Sequence, residues 1–169
     1  MAEIPEKLAD LMETFSMIED RQERIELLIS TADRFKGVPE AVATRPYPES
    51  HRVRHCESEA FVFSEERADG TLNYHFAVEN PQGISAMATA VILDETVSGQ
   101  APEKVLSVSE DIIYAFFGNE LSMGKSMGLT ALIQMVKVET KRFVLKSESV
   151  EDRPHDLAQS RNHRAIDTH

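Results

Sequence analysis

The sequence predicts an α+β fold, a small antiparallel sheet packed with helices, and three observations lead to this prediction. Two segments with apolar residues at helical spacing open the chain. Two short apolar segments separated by the turn signal Asp69-Gly70 follow, as expected for a β-hairpin. Helical segments then continue to residue 146, so that strands and helices occupy separate parts of the chain instead of alternating.

The first two helices are predicted from their spacing and from the signals at their ends. Pro5 suits the first turn of the first helix, where its missing N–H is not needed. The second helix begins after Asp20, with Glu23 at the position that completes a capping box. Gly37 and Pro39 end it. Because the connection between the two helices is short, we expect them to form a helical hairpin.

A long loop over residues 37–54 separates these helices from the strands. It carries three prolines and shows little periodicity, and long ordered loops in compact domains are often functional. The strands are predicted at residues 60–63 and 72–78, the second of which alternates polar and apolar residues. Three helical segments follow the hairpin, at residues 84–92, at residues 109–117, and after a loop at residues 122–126.

The chain divides into one globular domain, residues 1–146, and a polar tail, residues 147–169. The tail has no aromatic residue and no periodic apolar face. It cannot bury enough apolar surface to offset the entropy of ordering its backbone, so we predict that it is disordered.

Composition excludes several classes of function. With 18 basic against 29 acidic residues the formal net charge is −11, which disfavours general nucleic-acid binding. No segment approaches the ~20 apolar residues of a membrane span. The single cysteine, Cys56, allows neither an internal disulfide nor a cysteine-rich metal site. A chain without disulfides fits a reducing compartment, and we expect it in the cytoplasm.

Cys56 is the candidate for chemistry, and the residues alone leave two interpretations open. Cationic neighbours favour the thiolate, which is the nucleophilic form of cysteine, whereas acidic neighbours oppose it. In the other interpretation Cys56 is a half-buried, structural residue at the start of a strand. The charged and titratable neighbours are His51, Arg52, Arg54, His55, Glu57 and Glu59.

Two further arrangements around Cys56 have weaker signals. His51, His55, Cys56 and Glu59 include zinc-ligand types, but the segment is not helical, so the side chains need not converge and we predict no metal. A cysteine hydrolase using His75 is also conceivable. The strand pattern places His75 on the solvent face, and no hydrolase motif accompanies it.

The loop before the last helix carries a second group of candidate residues. Ser122 or Ser126 is suited to cap that helix, and Gly128 would let another backbone approach closely. If this loop faces Cys56, Lys125 adds positive charge near the thiol or near a partner.

Two motifs make the chain resemble the SufE family of sulfur-acceptor proteins in iron–sulfur cluster assembly. Residues 53–61, V-R-H-C-E-S-E-A-F, are similar to the family pattern V-x-G-C-x-S-x-V-W. Residues 122–129, S-M-G-K-S-M-G-L, are similar to S-x-S-R-x-x-G-L. The resemblance covers about residues 4–146. It indicates a divergent member, because His55 replaces a glycine, Lys125 replaces an arginine, and Glu57 and Glu59 stand where amides are common.

The resemblance implies the fold shared with IscU-type scaffolds and a role in sulfur relay. Cys56 would accept sulfur from the persulfide of a PLP-dependent, SufS-type cysteine desulfurase, stimulate that enzyme and pass the sulfur to a cluster scaffold. Such a sulfurtransferase-like accessory protein binds no cofactor of its own, and we expect its thiol to be sheltered until docking. The motif positions expected to contact partners are Arg54, His55, Glu57, Ser58 and Lys125. The alternative is a noncatalytic adaptor that activates a desulfurase, or another protein, without using its thiol.

Overall fold

Residues 3–151 are described by a computed structural model of the chain. These residues form six α-helices, one turn of 3-10 helix and one two-stranded antiparallel sheet, which confirms the predicted α+β class. In chain order the elements are α1 (Glu6–Ser16), α2 (Arg21–Ala32), the 3-10 turn (Glu49–His51), β1 (Ala60–Glu66), β2 (Leu72–Val78), α3 (Ile84–Val97), α4 (Pro102–Leu106), α5 (Ile112–Phe117) and α6 (Met123–Glu151). Within this range no helix combines the length and the apolar character that crossing a membrane requires.

The first two helices begin where the sequence places them, but they pack differently from the prediction. Asp20 caps α2, its carboxylate accepting a hydrogen bond of 2.8 Å from the N–H of Gln22. The short connection predicts that α1 and α2 pair with each other. Instead, both helices pack chiefly against α3 and α5. Phe15 of α1, for example, makes an edge-to-face contact with Phe116 of α5 at 5.0 Å between ring centroids.

Helix α3 is the centre of the core. Nine of its 14 residues are buried, as in an interior helix, whereas Asp94 and Glu95 near its C-terminal end are exposed. It packs against α1, α2, α6 and strand β2. Its small residues Ala86, Ala88 and Ala90 let these neighbours approach closely.

The sheet is covered on both faces. The register runs from Ala60 opposite Val78 to Glu66 opposite Leu72. The inner face carries Val62, Leu72, Tyr74 and Phe76 into the main core. The outer face carries Phe61, Phe63 and Ala77, and the proline-rich segment covers it with Val38, Val42, Ala43 and Tyr47. The long loop is therefore a packed layer of the fold.

Several elements differ from the prediction in extent, since β1 continues to Glu66, α3 continues to Val97 and α5 begins at Ile112. Helix α4, which the sequence does not predict, starts with Pro102 in its first turn. The segment 122–126 belongs largely to the first turn of α6, where Ser122 acts as the cap and accepts a bond of 3.3 Å from the N–H of Lys125. Helix α6 continues to Glu151, so residues 147–151 of the predicted tail are helical. The remainder of that tail lies outside the described residues.

Candidate functional site

Cys56 lies at the tip of a short loop, residues 52–61, which we call the cysteine loop. Its base is closed by a bridge between Arg52 and Phe61 and by a bond of 2.8 Å from the N–H of Val53 to the carbonyl of Ala60. The buried side chain of Val53 anchors the first half of the loop in the core. A turn at the tip brings the N–H of Glu59 to 3.2 Å from the carbonyl oxygen of Cys56. The thiol is thus held on a small loop that is closed at its base.

The thiol of Cys56 is half-buried and has one open side. Its side chain packs against the main core. The open side faces a cleft of about 410 Å³, which we call the cysteine cleft. The cysteine loop forms one wall of this cleft, with Arg54, His55 and Glu57, and helix α6 forms the other, with Gly124 and Met127. A reagent or partner can therefore approach Cys56 through this cleft.

Helix α6 supports the tip of the cysteine loop through a glycine. A Cβ atom at Gly128 would lie 3.2 Å from the carbonyl oxygen of His55 and 3.3 Å from the Cα atom of Cys56. Both distances are tighter than an ordinary contact, so this position favours glycine for the close approach that the sequence predicts. Gly83 plays the same part for the second half of the loop, since a Cβ there would lie 2.7 Å from the Ser58 hydroxyl.

Two residues of the cysteine loop adopt left-handed backbone conformations without being glycine. His55 has a φ angle of 58° and Glu59 has one of 50°. This region costs a residue with a side chain roughly 1–2 kcal/mol. The two residues lie on either side of Cys56, and the glycine of the family pattern falls at His55. The tip of the loop therefore holds local strain.

The charges around the cleft are mixed, and two cations are available. Arg52 is held by Glu49 at 3.0 Å and lies over the ring of Phe61. Arg54 and Lys125 are exposed, and neither has an ion-pair partner between residues 3 and 151. Glu57 leans toward the first turn of α6, where a Cβ at Gly124 would lie 3.5 Å from its carboxylate.

Three of the five residues predicted to contact partners line the cysteine cleft, and the other two lie elsewhere. Arg54, His55 and Glu57 line the cysteine cleft together with Cys56. Ser58 is half-buried against Gly83. Lys125 faces a neighbouring groove of about 850 Å³ between α2, α3 and the start of α6, one residue away from the cleft wall.

The alternative arrangements around Cys56 are not assembled. Across residues 3–151 no group of three or more His, Cys, Asp or Glu side chains could hold a metal ion. His51 is turned toward Val62 and Glu139. His75 is half-buried instead of lying on an open solvent face; it contacts Glu65 at 3.3 Å and does not line the cysteine cleft.

One cluster near the cysteine loop is not among the residues predicted from the sequence. Glu139 of α6 is only 5% exposed, and its carboxylate contacts His51 and Ser64. A signal for it does exist in the sequence, because Glu139 falls three residues after Val136 on the apolar face of the last helix. A carboxylate on such a face requires buried hydrogen-bond partners.

Comparison with known proteins identifies the family of this chain. The SufE family, described as an Fe-S metabolism associated domain, matches residues 9–140. No curated protein matches the chain significantly. A solution structure of a hypothetical protein from Thermus thermophilus is similar in fold, with a TM-score of 0.68 and 22% sequence identity. The alignment covers 84% of this chain and 98% of that protein. Since the family match spans well over half of its residues, the chain belongs to the SufE family, whose domain is associated with Fe-S metabolism.

Proposed function

We propose that this protein relays sulfur, taking it from the persulfide of a PLP-dependent, SufS-type cysteine desulfurase onto Cys56 and passing it to an iron–sulfur cluster scaffold. The observation that carries the proposal is the placement of the only cysteine at the tip of a closed loop, half-buried and open to one cleft. Membership of the SufE family supports the same assignment.

The proposed step is a thiol exchange on a persulfide. The Cys56 thiolate attacks the terminal sulfur of the donor persulfide, a new S–S bond forms on Cys56, and the S–S bond of the donor breaks. The donor cysteine leaves as a thiolate. One sulfur atom changes carrier without net oxidation, and the proton that Cys56 gives up is balanced by the proton that the donor thiolate regains. The same step, with Cys56 as the donor, delivers the sulfur onward.

The half-buried position of Cys56 suits this exchange. A persulfide reacts readily with other thiols, so a carrier benefits from a site that solution thiols reach slowly. The main core and Gly128 shield one side of Cys56, and the cysteine cleft leaves the other side open for a docked donor.

The donor is proposed to dock around the mouth of the cysteine cleft. Arg54, His55 and Glu57 line the cleft, and the exposed cation of Lys125 lies at its border with the neighbouring groove. Arg54 and Lys125 can pair with acidic groups of the donor. Ser58 contacts Gly83 and is proposed to support the loop from behind.

Intact mass measurement tests the relay. The protein is incubated with L-cysteine and a SufS-type desulfurase, and the Cys56→Ser variant, which changes one atom of the side chain, is the control. We expect the wild type to gain the mass of one sulfur atom and the variant to gain none. A wild type without added sulfur contradicts the relay. Sulfide release accelerated equally by both proteins would instead support the noncatalytic adaptor.

A further inference from the structure

The buried carboxylate of Glu139 is tied to the residue directly before the cysteine loop. One oxygen lies 2.9 Å from Nδ1 of His51, and the other accepts a hydrogen bond of 2.7 Å from the hydroxyl of Ser64. Arg142, one turn further along α6, approaches the first oxygen at 3.4 Å. A buried carboxylate is costly unless its oxygens are bonded, and here both are.

His51 is held from several directions. Its Nδ1 atom also lies 2.9 Å from the carbonyl oxygen of Val62. The two oxygens at this nitrogen, a carbonyl and a carboxylate, are both acceptors, so Nδ1 carries the hydrogen. It donates the hydrogen to Val62, and the carboxylate of Glu139 lies beside it at ion-pair distance. The imidazole ring stacks on Phe63 at 4.7 Å between centroids, with an angle of 29° between the ring planes. Because His51 ends the 3-10 turn and Arg52 starts the loop, these contacts fix where the loop begins.

Helix α6 therefore holds the cysteine loop at two places. Glu139 holds the base through His51, and Gly128 supports the tip against His55 and Cys56. These two positions are about three turns, or ~16 Å, apart on one continuous helix. Since a helix changes its length very little, the separation between the base and the tip of the loop is set by α6.

We propose that His51 and Glu139 act as a positioning pair, which holds Cys56 half-buried beside α6 with its sulfur directed to the cysteine cleft. The importance of the pair for sulfur transfer rests on the proposed function. Its effect on the position and accessibility of Cys56 does not, and it can be measured without a sulfur donor.

The test compares two variants that each remove one contact of the same carboxylate. His51→Phe keeps an aromatic ring on Phe63 but removes Nδ1, and with it the contact with Glu139 and the hydrogen bond to the carbonyl of Val62. Ser64→Ala, the matched control, removes the bond to the other oxygen, which comes from the sheet and not from the loop. The measurement is the rate of Cys56 alkylation by iodoacetamide in the folded protein, divided by the rate for the same variant unfolded in urea.

We expect the normalised alkylation rate to rise about threefold or more in His51→Phe and to stay within about twofold of wild type in Ser64→Ala, because only the first variant frees the loop by local opening. The rate in His51→Phe should not change with small additions of urea, as expected for a local motion that exposes little surface. Equal acceleration in both variants, or no acceleration in His51→Phe, would overturn the proposal.

A second variant that removes the contact between His51 and Glu139 keeps the proposal testable if His51→Phe does not fold. Glu139→Leu removes the carboxylate and fills its space with an apolar side chain. It should accelerate alkylation, and the double variant should react no faster than His51→Phe, since His51→Phe already lacks the contact between His51 and Glu139. Additive acceleration would show that the two residues act separately, against the proposal.

Sulfur loading from the desulfurase completes the experiment. His51→Phe should lower kcat/KM for sulfur acceptance while Ser64→Ala keeps it near wild type, because only His51→Phe displaces the acceptor thiol from its attack geometry. If the wild type itself accepts no sulfur, the proposed function fails, whereas the alkylation rates still decide whether the pair positions Cys56.

Discussion

At the scale of single residues, the conformation of His55 sets this chain apart from its family pattern. The histidine adopts a left-handed backbone with φ at 58°, a region in which glycine is at no disadvantage. Its imidazole is exposed and lines the cysteine cleft. The chain therefore carries a titratable side chain beside its thiol and bears a conformational cost for it.

Replacing His55 by glycine should raise the free energy of unfolding. Relief of the left-handed strain contributes about 1–2 kcal/mol, and the greater freedom of glycine in the unfolded chain offsets about 0.4–1 kcal/mol of it. His55→Ala is the matched control, because alanine removes the imidazole and keeps the strain. We expect the free energy of unfolding in urea to be about 1 kcal/mol higher for His55→Gly than for His55→Ala. Equal values would show that the loop relaxes around either residue.

At the scale of elements, α6 organises the site. It forms one wall of the cysteine cleft, supports the tip of the loop at Gly128, carries the buried Glu139, and packs against β1. The sequence predicts the helix, the glycine and the cysteine loop, because each leaves a local signal. It does not predict the contact between His51 and Glu139, because these residues are brought together only by the packing of α6 on the sheet.

Gly128 and Gly124 offer a matched pair of substitutions on this helix. Alanine normally stabilises a helix by about 1 kcal/mol relative to glycine. At Gly124 the new methyl group would meet Glu57 at an ordinary 3.5 Å, but at Gly128 it would press on the backbone of His55 and Cys56. We expect Gly128→Ala to be about 1–2 kcal/mol less stable than Gly124→Ala and to alkylate faster at Cys56. Urea unfolding of both variants gives the comparison, and equal stabilities would mean that the loop is not pressed against α6.

The contact between Tyr74 of β2 and Thr140 of α6 makes the free energy of unfolding depend on pH in the alkaline range. Burial raises the pKa of Tyr74 from the ordinary 10.0 to about 12, although its hydrogen bond with Thr140 opposes the shift. The unfolded chain thus loses this proton first, and the free energy of unfolding should fall as the pH rises from 10 to 12. Urea unfolding at several pH values measures the slope. Tyr74→Phe should remove part of it, whereas Tyr114→Phe, at an exposed position, should not; an unchanged slope in Tyr74→Phe would contradict this origin.

At the scale of the whole molecule, a chain of formal net charge −11 presents exposed cations beside its only cysteine. Arg54 and Lys125 lie on this side of the protein, and neither forms an ion pair with another residue of the described range. The sequence alone places Arg54 in this neighbourhood, because that residue is close to Cys56 in the loop. The sequence does not predict whether Lys125 lies near Cys56, since the approach of α6 to the cysteine loop depends on tertiary packing.

The proline-rich segment that covers the outer face of the sheet is a second feature that the sequence does not predict. Three prolines and weak periodicity indicate a loop, yet residues 38–47 cover the outer face of the sheet. Tyr47 contacts both Phe61 and Phe63, with centroids 5.1 Å and 5.5 Å apart. Irregular segments bury apolar surface without a repeating pattern, so their packing partners cannot be read from spacing.

The two left-handed residues on either side of Cys56 affect how easily the cysteine loop can move. Lifting residues 55–59 away from α6 breaks the contacts at Gly128, but it also lets His55 and Glu59 return to ordinary backbone angles. That return releases roughly 2–4 kcal/mol, at 1–2 kcal/mol for each residue. An outward movement of the cysteine would therefore be opposed by a smaller barrier than the buried contacts alone would set.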